Sequence, residues 1–174
     1  MQPSEALSTS AQIAVTLAGF AGVVVAFRSR AVHEWGKIDK FRFQILLTNS
    51  ATPFALSLFA MVLSATTINS VTVWRLCSII TFVVLVGVGA SYSTTFRRFA
   101  PQEFRASGGK ALIMRAGGLV AVAVTLLQLY NVIRLQSFWP FFVAIATLLL
   151  FAMLQFILLV TTSHDSESSI NDGK

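Results

Sequence analysis

The chain has 174 residues, 55% of them hydrophobic and only 11% charged, with 13 Lys and Arg against seven Asp and Glu, for a net charge of +6. Soluble domains carry about 25% charged residues, so this composition excludes a water-soluble globule with a polar exterior. The single cysteine, Cys77, excludes an intrachain disulfide, and the two histidines, His33 and His164, lie in distant polar segments, so no tetrahedral metal set is expected.

Five apolar runs follow one another: residues 11–27, 43–67, 76–96, 116–135 and 139–162. A hydrocarbon core of about 30 Å is crossed by about 20 helical residues. The expected fold is therefore an all-α integral membrane bundle of five transmembrane helices, one domain over residues 1–162, followed by a polar tail at 163–174 with no structure of its own.

Span one carries Ser10, Ala14, Ala18, Gly22 and Ala26 at four-residue intervals. On a helix these form one small-residue stripe, which lets backbones approach closely. The segment that follows contains Arg28, Arg30, Lys37, Lys40 and Arg42, interleaved with Val32, Trp35, Ile38 and Phe41. That spacing fits a short amphipathic segment at the membrane interface. His33, Glu34 and Asp39 are its acidic and basic cluster, read as a solvated face.

Span two is polar in its first half: Thr48, Asn49, Ser50, Thr52 and Pro53. Proline has no N–H and crowds the carbonyl four residues back, here Asn49, so that carbonyl needs another partner in lipid. Two readings stay open, a structural kink satisfied by nearby hydroxyls or a polar lane. The lane would include Thr48, Asn49 and Ser50, with Gln128 of span four and Gln155 of span five. Counting 1.5 Å per residue from opposite faces places Asn49 and Gln155 at similar depth, both facing inward.

Span three carries Gly87, Gly89 and Ser91. The loop after it mixes Phe96, Phe99 and Phe104 with Arg97, Arg98 and Arg105. Basic groups beside aromatics at a membrane surface suit anionic lipid headgroups, and Arg97, Arg98 and Arg105 are the candidate headgroup ligands. Single-stranded nucleic acid is also bound by such mixtures, but between two spans the lipid reading is preferred and no nucleic acid is expected as a partner. Span four has Gly117, Ala121 and Thr125 at helical spacing, then Gln128 and Asn131. Span five opens at Trp139 and Pro140, where proline suits a first helical turn.

Ten of the 13 basic residues fall in the two loops after spans one and three. The positive-inside bias makes those loops cytoplasmic, with the N-terminus outside and the C-terminus inside. The first ten residues contain Glu5 and no Lys or Arg, unlike the positive start of a cleaved signal. All seven acids lie outside the spans, as do the lysines and histidines. Ion-coupled carriers place ionisable groups at membrane depth, haem between helices needs buried histidines, and no nucleophile has a base at suitable spacing. No enzyme, cofactor or metal site is expected.

The segments AGFAGVVVAFRSR, WGKIDKFR and FAMVLS, at residues 18–30, 35–42 and 59–64, resemble small multi-span bacterial inner-membrane proteins of unknown function. The resemblance implies a bacterial cytoplasmic membrane and brings no activity and no site residue. The expected function is a non-enzymatic scaffold, an accessory or homo-oligomeric subunit of a membrane complex. Its helix-packing residues are Ala14, Ala18, Gly22, Ala26, Gly117 and Ala121, and its partners are membrane lipids and other membrane subunits. The alternative is a passive channel or facilitator. Reporter fusions after Gly109 and after Asn69 are expected to register cytoplasm and exterior respectively; both on one side would contradict five spans.

Overall fold

The computed structural model describes residues 2–27, 37–97 and 110–171. Within them the chain is all-helical: α1 Pro3–Phe27, α2 Lys37–Ser64, α3 Ser70–Arg97 and α4 Lys110–Tyr130, then a π-helical turn Asn131–Leu135, and α5 Phe138–Asn171. All five α-helices are long and apolar enough to cross a membrane. Without water to satisfy N–H and C=O groups, a spanning backbone must close its own hydrogen bonds, and the helix does so within one segment. Arg98, Arg105, His33, Glu34 and Trp35 lie outside the described residues, as do the side chains of Arg97 and Asp39.

Several helices run past their apolar stretches. α1 begins at Pro3, where the fixed φ of proline suits a first turn and Glu5 sits near the positive helix end. Ala6, Leu7 and Ser10, upstream of the expected span, are buried. α2 begins at Lys37, so Phe41 is not part of a separate interfacial helix; it is a buried residue of α2 itself. α5 continues to Asn171, past the boundary expected at residue 162. Its backbone meets no proline or glycine between Ser163 and Asn171, and nothing local stops the helix there.

α2 passes through Pro53, which is buried. The hydroxyl of Ser50 bonds to the carbonyl of Leu46 at 2.9 Å, one turn before the Asn49 carbonyl that proline frees. The same back-bonding holds Ser10 to Ala6 at 2.8 Å, Thr81 to Cys77 at 2.7 Å and Thr125 to Ala121 at 2.8 Å. Hydroxyls that bond their own helix carry no unsatisfied group into the bilayer.

The chain divides into two compact units. The first comprises residues 1–61 and 145–174. Its core brings together Ala21 of α1, Leu46 of α2 and Ala152 of α5, flanked by Leu17, Val25, Phe43 and Phe156. Phe20 and Phe156 stack with ring centroids 6.4 Å apart. Small residues at Ala21 and Ala152 bring the three helices close, the mode of association available where lipid and side chains are equally apolar.

The second unit comprises residues 62–144. Asn69 caps α3, its side-chain oxygen accepting the Val71 N–H at 3.1 Å. Trp74 packs on Phe138 with centroids 4.9 Å apart and on Phe141 at 6.3 Å, and Phe141 is fully buried.

Candidate functional site

A set of hydrogen bonds from buried side-chain amides lies where span four turns into span five. Asn131 opens the π-turn that ends span four, and it is fully buried, 0% exposed. Its carbonyl accepts the N–H of Gln136 at 2.8 Å. That five-residue step defines the π-turn and inserts one residue into the helix end. Gln136 then takes a left-handed conformation, φ 48° and ψ 41°, and breaks the helix. This is the geometry that glycine adopts at many helix ends without steric cost. A residue with a Cβ pays roughly 1–2 kcal/mol for it.

The connection has only two residues, Gln136 and Ser137, and the side chain of Asn131 clamps it. Its Oδ1 accepts the Ser137 N–H at 3.1 Å, and its Nδ2 donates to the Ser137 carbonyl at 3.0 Å. One amide thus pairs with both backbone groups of one residue, as two strands of a sheet would. Nδ2 also donates to the Ser78 hydroxyl of α3 at 2.6 Å, which ties three elements to a single side chain. One turn earlier, the fully buried Gln128 donates from Nε2 to the Pro140 carbonyl at 2.6 Å. Local sequence accounts for the arrangement. Gln128 and Asn131 are three apart on one helix face, Ser137 precedes the first residue of α5, and Pro140 sits in its first turn.

The clamp stabilises a connection between two spans and offers no acid, base or nucleophile pair. Among the described residues no group of three or more His, Cys, Asp or Glu is placed to hold a metal ion.

The candidate lane residues do not gather in this clamp. Asn49 is 4% exposed and Ser50 fully buried, whereas Thr48 and Gln155 are only half-buried; all four belong to the first unit. Gln128 belongs to the second unit. Among the described residues no hydrogen bond joins Asn49 to Gln155, and the buried Gln155 Oε1 has no partner.

The small-residue stripe of span one divides. Ser10 and Ala14 are buried and Ala18 is half-buried, but Gly22 and Ala26 are exposed. The buried face instead turns through Ala21, because 3.6 residues per turn carry a strict four-residue stripe gradually around the helix. In α4, Gly117 and Ala121 are half-buried and Gly118 is exposed.

In the sequence Asn131 and Pro140 are legible only as a span-four amide and a first-turn proline, and nothing there points to Ser78 or Ser137. The available signal was two amide side chains at one helix end, three residues apart, facing a two-residue connection that starts a proline-containing helix. No family model matches the chain, and no curated protein or solved structure resembles it significantly.

Replacing Asn131 with Ala removes three hydrogen bonds and leaves the Ser137 backbone and the Ser78 hydroxyl without their partner. At about 0.6 kcal/mol per membrane hydrogen bond plus the cost of orphaned groups, a loss of about 2–3 kcal/mol is expected by reversible unfolding in detergent. Thr125→Ala removes a hydroxyl bonded only to its own helix and is expected to cost less than about 0.5 kcal/mol. Equal losses for the two would show that the clamp adds nothing.

Proposed function

We propose that this chain is a non-enzymatic integral membrane protein, a scaffold or accessory subunit that assembles through helix packing with further copies of itself or with other membrane subunits. The observation that carries this reading is the placement of its helical glycines. At Gly19 and Gly22 of α1, Gly87 and Gly89 of α3 and Gly118 of α4, an added Cβ would meet no atom within 4 Å among the described residues beyond its own turn of helix. Glycine inside a helix costs about 0.5–1 kcal/mol relative to alanine. Close packing within the chain does not offset that cost at these five positions, so a contact outside the chain is the reading that accounts for them. Ala26 extends the same exposed surface at the end of α1.

The membrane is read as a bacterial cytoplasmic membrane, with the N-terminus outside and the two basic loops inside, where Arg97, Arg98 and Arg105 meet anionic headgroups. The support is the charge distribution of the sequence.

A second reading, a passive channel or facilitator, has one observation in its favour. Asn49, Ser50 and Ser57 are buried on the same face of α2, and the Ser57 hydroxyl has no hydrogen-bond partner among the described residues. A polar face turned inward is what a solute path requires.

Two variants separate the readings. Gly22→Leu is expected to change the oligomer size of the purified protein without lowering its thermal midpoint, since the added side chain enters open space within the chain and leucine is the better helix former. Unchanged oligomer size would remove the assembly reading. Asn49→Leu reconstituted in liposomes is expected to leave small-solute flux at the level of the parent protein; altered flux would favour the channel.

A further inference from the structure

We propose that Arg75 and Arg134 form a contact surface for anionic phospholipid headgroups, at the end of the second unit where α3 begins, α4 ends and α5 begins. The hydrogen bond from Asn131 to Ser78 and the packing of Trp74 on Phe138 gather those three helix ends. Arg75 comes three residues before Ser78, and Arg134 three residues after Asn131. Each therefore stands about one turn beyond that bond, toward its helix terminus. Both side chains are exposed, and among the described residues neither has an ion pair or a hydrogen bond.

Arginines also frame the apolar length of these helices. On α3, Arg97 follows Arg75 by 22 residues, about 33 Å of helix at 1.5 Å per residue. Arg134 follows Arg115 of α4 by 19 residues, about 29 Å. No charged residue lies within either interval. Both lengths match a hydrocarbon core of about 30 Å, which sets Arg75 and Arg134 at headgroup level. Tyr130 and Trp139 are 54% and 52% exposed at the same end of the unit, and such rings favour the membrane–water interface. The charge there is unbalanced: the one acid in the sequence of the second unit, Glu103, follows the opposite end of α3. A guanidinium is a planar fork of donors that fits a phosphate, and each basic residue at a membrane surface favours anionic lipid. The surface is separate from Arg97, Arg98 and Arg105. It rests on the membrane reading of the spans and not on the assembly reading.

Fluorescence quenching tests it. Trp35→Phe with Trp74→Phe leaves Trp139 as the only tryptophan, and this protein is reconstituted in vesicles of equal parts phosphatidylcholine and phosphatidylglycerol. One lipid or the other is brominated high on its acyl chains, and bromine quenches indole on contact. Brominated phosphatidylglycerol is expected to quench Trp139 at least about twofold more strongly than brominated phosphatidylcholine. Arg75→Gln with Arg134→Gln is expected to level the two lipids, and Arg75→Lys with Arg134→Lys to keep most of the excess. Arg97→Gln with Arg98→Gln, beyond the other end of the span, is expected to leave it unchanged. Equal quenching by the two lipids before substitution, or an excess that survives the Gln pair, overturns the proposal alone. Quenching by neither lipid overturns it together with the membrane placement of this end.

Discussion

For helices long and apolar enough to cross a membrane, one constraint bears on every level of the structure: in hydrocarbon no water is at hand to satisfy a polar group. It makes the backbone helical, because the helix closes its hydrogen bonds within one segment. It turns serine and threonine hydroxyls back onto carbonyls of their own helices, as at Ser50, Thr81 and Thr125. Where the chain must leave one helix and enter another, as between spans four and five, the freed backbone groups are met by the amide of Asn131.

The same constraint shapes the helix faces. α2 buries Asn49, Ser50, Pro53 and Ser57 beside Leu46 and Leu56, while exposing Leu47, Leu58 and Val62. Exposed hydrophobic side chains and polar or small residues on the packed face are the pattern expected of helices in lipid, which is as good a solvent for apolar groups as the core.

Much of the fold was legible in the sequence for the same reason. Run length and apolarity are set by bilayer thickness, so five spans could be counted directly, and all five appear as helices. The ends were less legible. Pro3, Lys37 and Asn171 lie in polar sequence where hydropathy falls but helical hydrogen bonding continues. The small-residue stripe of α1, counted at a strict spacing of four, divides between Ser10 and Ala14, buried within the chain, and Gly22 and Ala26, exposed on it, because the helix turns every 3.6 residues and carries the buried face on through Ala21. The clamp was hidden because its parts lie far apart in sequence: Ser78 and Asn131 are 53 residues apart, and only the fold brings them to 2.6 Å.

The central claim is that buried polar side chains here close the backbone's own hydrogen bonds at the join between two spans. Amide hydrogen exchange at Gln136 and Ser137, in protein reconstituted into lipid nanodiscs, tests it most directly. Their N–H groups donate to the carbonyl and the side-chain oxygen of Asn131, so both are expected to exchange as slowly as amides in the middle of span five. Exchange at the rate of an open loop would contradict the account.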